Sequence, residues 1–188
     1  MTAYHVIEGG SQFAIRFPTG ATYRARILAR DVNNDLAILK LLDFAPGENG
    51  FRMSLSASLR PGDLIHALGF PLSAELGERP SIVSGQVSST TGIDDSPTQF
   101  RMTALVNPGN SGGPVLNQDG DVVGVVVAAL EGRKIEGVKF GVKITTALPL
   151  LQQVGLRLDE SSQRNSMNAS QLFAEFSKDV VLIRVSKQ

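Results

Sequence analysis

The feature that most limits what this chain can fold into is its punctuation. Short apolar or alternating runs recur along it, each cut off by glycine, proline, asparagine or aspartate. Residues 12–17 (QFAIRF) and 22–30 (TYRARILAR) alternate apolar with polar across the turn PTGA, the mark of a hairpin. Residues 36–42 (LAILKLL) are apolar at nearly every position, as in a strand covered on both faces. The same texture returns at 63–70, 81–90, 98–106, 113–117, 121–130 and 138–144. Helical spacing is confined to 145–155, which ends at Gly155, and to 169–176; residues 179–186 (DVVLIRVS) then read as strand again. Two groups of short strands with little helix predict an all-β protein, as barrels or a sandwich. The polar, Pro- and Gly-rich stretch after Phe44 predicts a link. It divides the chain into a first portion 1–44, a link 45–62, a second portion 63–155, and a tail 156–188 of polar linker, helix and strand.

Composition removes several functions. Eighteen Lys and Arg balance eighteen Asp and Glu, so no net field draws the chain to nucleic acid or to an anionic membrane. No apolar run approaches the roughly 20 residues of a membrane span. With no cysteine, disulfides, thiolate catalysis and zinc–sulfur sites are excluded. The turn NQDGD (117–121) holds two aspartates, but it lacks the spaced oxygens and distal Glu of a calcium loop. No metal and no cofactor are expected. The opening MTAYHVIEGG has neither the basic start nor the long apolar stretch of a signal peptide.

The chemistry is concentrated in 105–116, LVNPGNSGGPVL, where Gly109, Gly112 and Gly113 crowd one hydroxyl, Ser111. A serine is a poor nucleophile until a base takes its proton and amides hold the oxyanion that follows. Gly-Asn-Ser-Gly-Gly formally matches the G-x-S-x-G elbow of α/β-hydrolases, a fold in which the histidine follows the serine. Here both histidines, His5 and His66, precede Ser111, and no parallel βαβ alternation surrounds it. The elbow is therefore excluded. What remains is the order His, Asp, Ser. His5 closes the apolar TAYHV, and Asp35 stands directly before the buried run 36–42, which can hold an acid rigidly. Asp31, at the start of the same turn, is the weaker candidate. His66 lies inside a strand and reads as a structural histidine.

Four blocks in this order resemble the HtrA (Deg) branch of the trypsin-like serine proteases, over about residues 2 to 150. TAYHV is similar to T-x-x-H-V, and DVNNDLAILKL to D-x-x-x-D-L-A-x-L-K. RPGDLIHALGFP with SIVSGQVSST is similar to G-D-x-x-x-A-x-G-x-P with S-G-x-V-S. NPGNSGGPVLNQDGDVVGV is similar to the nucleophile loop and its hairpin. The resemblance implies a chymotrypsin-like double β-barrel with short C-terminal helices and a site between the barrels. His5 becomes the general base, Asp35 its orienting acid, Ser111 the nucleophile, and the N–H groups of Gly109 and Ser111 the oxyanion hole. Val125, Val126 and Val127 fall where an edge strand pairs with extended substrate. Leu105, six residues before the nucleophile, stands at the base of the primary pocket, so aliphatic residues are favoured over Lys or Arg. Thr103 occupies a position where the branch often carries Asp.

The expected reaction is hydrolysis of extended or unfolded polypeptides through an acyl-enzyme. The alternative is a catalytically impaired module that binds extended peptides or regulates a partner. The branch suggests a periplasmic or other extracytoplasmic setting. No segment resembling its peptide-sensing PDZ appendage follows residue 150. Relative to the family, the first barrel is incomplete ahead of His5. ASQLFAEFSKDVVLIRVS (169–186) is similar to the missing opening of such a domain. Three readings of the tail stand: an ordinary terminal helix and strand packed on the surface, the start of a second such domain in tandem, or a segment that completes the first barrel from its own chain or from a strand-swapped neighbour in a homo-oligomer.

Overall fold

A computed structural model describes residues 1–45, 50–53, 58–73, 77–127, 138–156 and 165–187. Among these residues the strands are β1 (Thr2–Ala3), β2 (Gln12–Arg16), β3 (Thr22–Asp31), β4 (Leu36–Leu41), β5 (Arg52–Met53), β6 (Leu64–Gly69), β7 (Ser81–Ser89), β8 (Gln99–Met102), β9 (Pro114–Leu116), β10 (Asp121–Val127), β11 (Lys139–Lys143) and β12 (Leu182–Ser186). Helices are α1 (Tyr4–Ile7), α2 (Leu148–Gln153) and α3 (Ala169–Phe176).

The strands form two sheets. Strands β8, β7, β6, β9, β10 and β11 pair in a ring that closes between β11 and β10. The first sheet is an open half-barrel in the order β1-β4-β3-β2-β12. The chain is thus mostly β, with the architecture of a chymotrypsin-like double barrel. The expected hairpin is present, with Phe13 opposite Ala25 and Ile15 opposite Tyr23. Phe13 and Ile15 point inward, as the alternation of β2 requires.

Strand β10 shows why the apolar run 121–127 has no polar face. Every residue of it is buried. Val123 and Val126 pack inside the closed barrel with Ile65, Phe100 and Val115. Val122, Val125 and Val127 face the other way, into the core shared between the barrels with Leu36, Ile38, Leu68 and Phe70. A strand lying between two cores has no solvent side, so alternation disappears. The link contributes to the same region. Its strand β5 runs parallel to β10, with Arg52 beside Asp121 in register, and their side chains pair at 2.7 Å.

The tail docks by the same apolar logic. Asn168 and Gln171 cap α3 reciprocally, each side chain accepting the other's backbone N–H at 3.0 and 2.9 Å. The Met167 N–H donates to the Gln118 carbonyl at 2.7 Å, which fixes the entry to the helix. Leu172 and Phe176 are buried, and Phe176 stacks on Phe51 at 5.3 Å between centroids. Strand β12 then runs antiparallel to β2, with Leu182 opposite Arg16 and Ser186 opposite Gln12.

One carboxylate joins this new edge to the other barrel. Glu78, between β6 and β7, pairs with Arg184 of β12 and with Arg16 of β2, the latter at 3.0 Å. The hydrogen bond from Arg184, with the charges of Arg184 and Arg16, holds its carboxyl below the usual range against a smaller opposing effect of burial. A depressed acid stabilises the fold above its unfolded pKa, and the contribution vanishes as pH falls through the folded value. The urea midpoint is therefore expected to fall below about pH 4.5 partly through Glu78. Glu78→Gln should weaken that dependence; identical midpoint-versus-pH curves for the two proteins would exclude the role.

Candidate active site

His5 is placed by β1 and by Asp35. The strand expected through His5 ends at Ala3, and the histidine lies in the single helical turn α1. Asp35 explains the difference. Its backbone is left-handed (φ 54°), a conformation that aspartate tolerates better than most residues. In that pose its carbonyl accepts the Tyr4 N–H at 3.1 Å, and carboxylate Oδ1 accepts the His5 N–H at 2.8 Å. Oδ2 lies 2.6 Å from His5 Nδ1. Backbone and ring are thus gripped by one carboxylate, and the chain turns instead of extending. An ionised carboxylate only accepts, so Nδ1 carries the hydrogen and Nε2 is the basic nitrogen. Asp31 is used otherwise: its two oxygens accept from the N–H and amide of Asn34 at 3.1 and 2.7 Å, building the turn that presents Asp35.

Ser111 sits in a turn pinned from several sides. Asn110 N–H donates to the Asn107 carbonyl, Gly113 N–H to the Asn110 carbonyl, and Gly112 N–H to the Val126 carbonyl. Phe70 N–H holds the Gly109 carbonyl at 3.2 Å, and Leu72 N–H holds that of Pro108 at 2.9 Å. Among the described residues, neither the Gly109 nor the Ser111 N–H has a hydrogen-bond partner. Two glycines are sterically required here. Gly109 has φ 94°, and a Cβ on it would lie 2.2 Å from the Phe70 carbonyl oxygen. Gly112 has φ 81°, and its Cβ would lie 2.1 Å from Thr2 Oγ1. That second contact brings the serine turn against the strand that leads into His5.

His5, Gly109 and Ser111 line one cleft of about 520 Å³ between the barrels. Phe51 and Met53 of the link, Phe70, Val122, Val125 and Ile144 supply apolar wall, and the tail adds Asp179 to Ile183. Sequence reasoning missed the link and tail residues. Phe51 and Met53 sit in a polar stretch, and a period-two run such as 179–186 says strand without naming its partner.

Two expectations are corrected. Val125, Val126 and Val127 pair with β11 on one side; on the other, Val125 lies opposite Pro114 and Val126 exchanges hydrogen bonds with the Gly112 and Gly113 backbone, so Val125 and Val126 are not an edge. Residues 128–130, the expected end of that strand, lie outside the described residues. Leu105 is 74 % exposed and is not among the described residues that line this cleft; it projects from the loop between β8 and the serine turn. Thr103 is engaged structurally, its hydroxyl accepting the Gln86 N–H at 2.8 Å. His66 is buried, with Nδ1 at 2.9 Å from Ser84 Oγ, and burial lowers its pKa.

Comparison with known proteins identifies the family. The family model of the trypsin-like peptidase domain matches residues 1–125. The chain is 31 % identical to the serine protease Do-like HtrA of Bacillus subtilis over 160 residues, 82 % of this chain and 35 % of that protein. It is 34 % identical over 152 residues to the putative serine protease HhoB of Synechocystis, 78 % of this chain and 35 % of the relative. An uncharacterised protein of Sinorhizobium fredii, y4bJ, matches 92 % of the chain at 29 % identity, with 28 % of its own length covered. The chain thus spans about a third of the length of these relatives. It belongs to the trypsin-like peptidase family, with HtrA-type serine proteases among its relatives.

Proposed function

We propose that this chain is a serine endopeptidase domain that hydrolyses extended or unfolded polypeptides through an acyl-enzyme on Ser111. His5 Nε2 takes the Ser111 proton as the hydroxyl attacks the scissile carbonyl, and later returns it to the leaving amine. Asp35 fixes the tautomer and stabilises the imidazolium that forms. The carbonyl oxygen becomes an anion in the tetrahedral intermediate, and the N–H groups of Gly109 and Ser111 receive it. Apolar walls in the cleft favour aliphatic substrate side chains, because an unpaired cation loses its hydration there.

The observation that carries this reading is the double grip of Asp35 on His5 beside a cleft that His5 shares with Ser111. A fluorophosphonate probe tests it, since such reagents capture only an activated serine. The wild-type chain should become labelled at Ser111, and labelling should disappear in Ser111→Ala and fall steeply in His5→Ala. A wild-type chain that binds peptide yet resists the probe would refute the assignment.

A further inference from the structure

We propose that Asp179 is a specificity-determining residue of this cleft, selecting polypeptides with a lysine or arginine near an otherwise aliphatic cleavage segment. The catalytic part of the inference rests on the proteolytic reading above; the binding part does not.

Asp179 ends the short 3-10 turn Ser177–Asp179, where α3 hands the chain to β12. Buried Phe176 on one side and buried Val180 on the other anchor that turn, so the position of Asp179 is fixed by packing. It lines the cleft together with His5, Gly109 and Ser111, and among the described lining residues it is the one carboxylate. The same cleft is lined by Val180 to Ile183 and by Phe51, Phe70 and Val122. The other ionisable side chain among the described lining residues, His5, is engaged by Asp35.

Among the described residues Asp179 has no hydrogen bond or ion pair, although it is partly withdrawn from water. Partial burial raises its pKa, and the nearby charge of Lys178 opposes that without forming a pair. An acid with a raised folded pKa contributes stability only below its unfolded value and loses it as pH rises through the folded one. At neutral pH the group therefore works against folding. A side chain that costs stability where it stands, faces the reactive cleft and lacks a partner is suited to a partner that arrives with the ligand. The complement of a partly desolvated carboxylate is a cation, and a charge-assisted bond is about twice as strong as a neutral one. Long lysine and arginine side chains also suit the site, because their aliphatic stems can lie along Val180 and Leu182 while the head reaches the acid.

The experiment uses peptides with an aliphatic residue at the cleaved bond and lysine, or its neutral counterpart glutamine, placed in turn at each flanking position. Hydrolysis by the full chain is measured as kcat/KM, and binding of the same peptides is measured on Ser111→Ala by fluorescence anisotropy. At one position or two neighbouring positions lysine should be preferred over glutamine by about tenfold, the equivalent of 1.4 kcal/mol. The ratio should fall to about one in Asp179→Asn, persist in Asp179→Glu, and favour glutamate peptides in Asp179→Lys. Asp179→Asn should melt no lower than the parent at neutral pH, which separates the loss of preference from a loss of fold. No lysine preference at any position, or a preference that survives in Asp179→Asn, overturns the inference. Lysine peptides that bind Ser111→Ala through Asp179 while the wild type hydrolyses none would sustain it and overturn the proteolytic reading instead.

Discussion

Ser111→Ala is expected to slow hydrolysis of an unfolded protein substrate by about 10⁴- to 10⁶-fold, and His5→Ala by a similar factor. The two losses should not multiply in the double variant. Once the hydroxyl is gone the imidazole has no proton to accept, and once the imidazole is gone the hydroxyl is an ordinary alcohol. What survives in either variant is the contribution of the two N–H groups and of substrate positioning. Asp35→Asn is more instructive than a truncation. The amide has one acceptor oxygen where the carboxylate has two, so it cannot receive the His5 backbone N–H and Nδ1–H on the two separate oxygens that now accept them. Its NH₂ facing the ring would favour the tautomer with Nε2 protonated, which leaves no base toward the serine. Rate should fall by about 10⁴-fold, the scale known for this substitution in related triads, while the melting temperature changes little. A Ser111→Ala chain that cleaves at the parental rate would end the assignment.

The legibility of the site and of the fold came from different kinds of information. The turn that carries Ser111 was readable because it needs glycine at 109 and 112, where a Cβ would strike Phe70 or Thr2, and those glycines are in the text of the chain. The pairing of His5 with Asp35 was readable from order, since the other histidine sits in a strand and the other acid starts a turn. The turn of helix at His5 was not readable. It has no side-chain cap and only four residues, and it exists because a distant carboxylate holds its backbone. Strand β5 is two residues long in a polar stretch, and it forms because Asp121, buried in β10, is paired with Arg52. Val125 and Val126 were rightly strand and wrongly edge. Periodicity reports that a residue is covered; whether protein or substrate covers it depends on barrel closure, a non-local event. Leu105 shows the converse, an apolar residue left in solvent between Ala104 and Val106, whose side chains take the inward positions in the core of the closed barrel.

Removing the tail is expected to abolish cooperative folding or to lower the melting temperature by well over ten degrees. Residues 165–188 contribute Leu172, Phe176 and Val180 to the core between the barrels, at 0, 3 and 5 % exposure. Burial of a side chain of this kind stabilises by about 1.5–3 kcal/mol, so the three together contribute several kcal/mol, an upper estimate because the unfolded chain is itself partly compact. The stacking of Phe176 on Phe51 adds about 0.5–1.5 kcal/mol. Domains of this size are stable by about 5–15 kcal/mol in all, so a loss on that scale consumes much of what there is. Deletion also strips β2 of its partner β12, exposing a row of backbone groups and inviting aggregation. It uncovers the cleft as well, since Asp179 to Ile183 form part of its wall. Leu172→Ala isolates the packing component, with an expected cost of about 2–5 kcal/mol and the edge strand left in place. The decisive measurement adds a synthetic 165–188 peptide to the truncated chain. Docking that depends on capping, apolar burial and strand pairing, and not on chain continuity, should restore a melting transition that rises with peptide concentration. A truncated chain that melts within a degree of the parent would show that the tail is a surface appendage and that the first barrel stands without it.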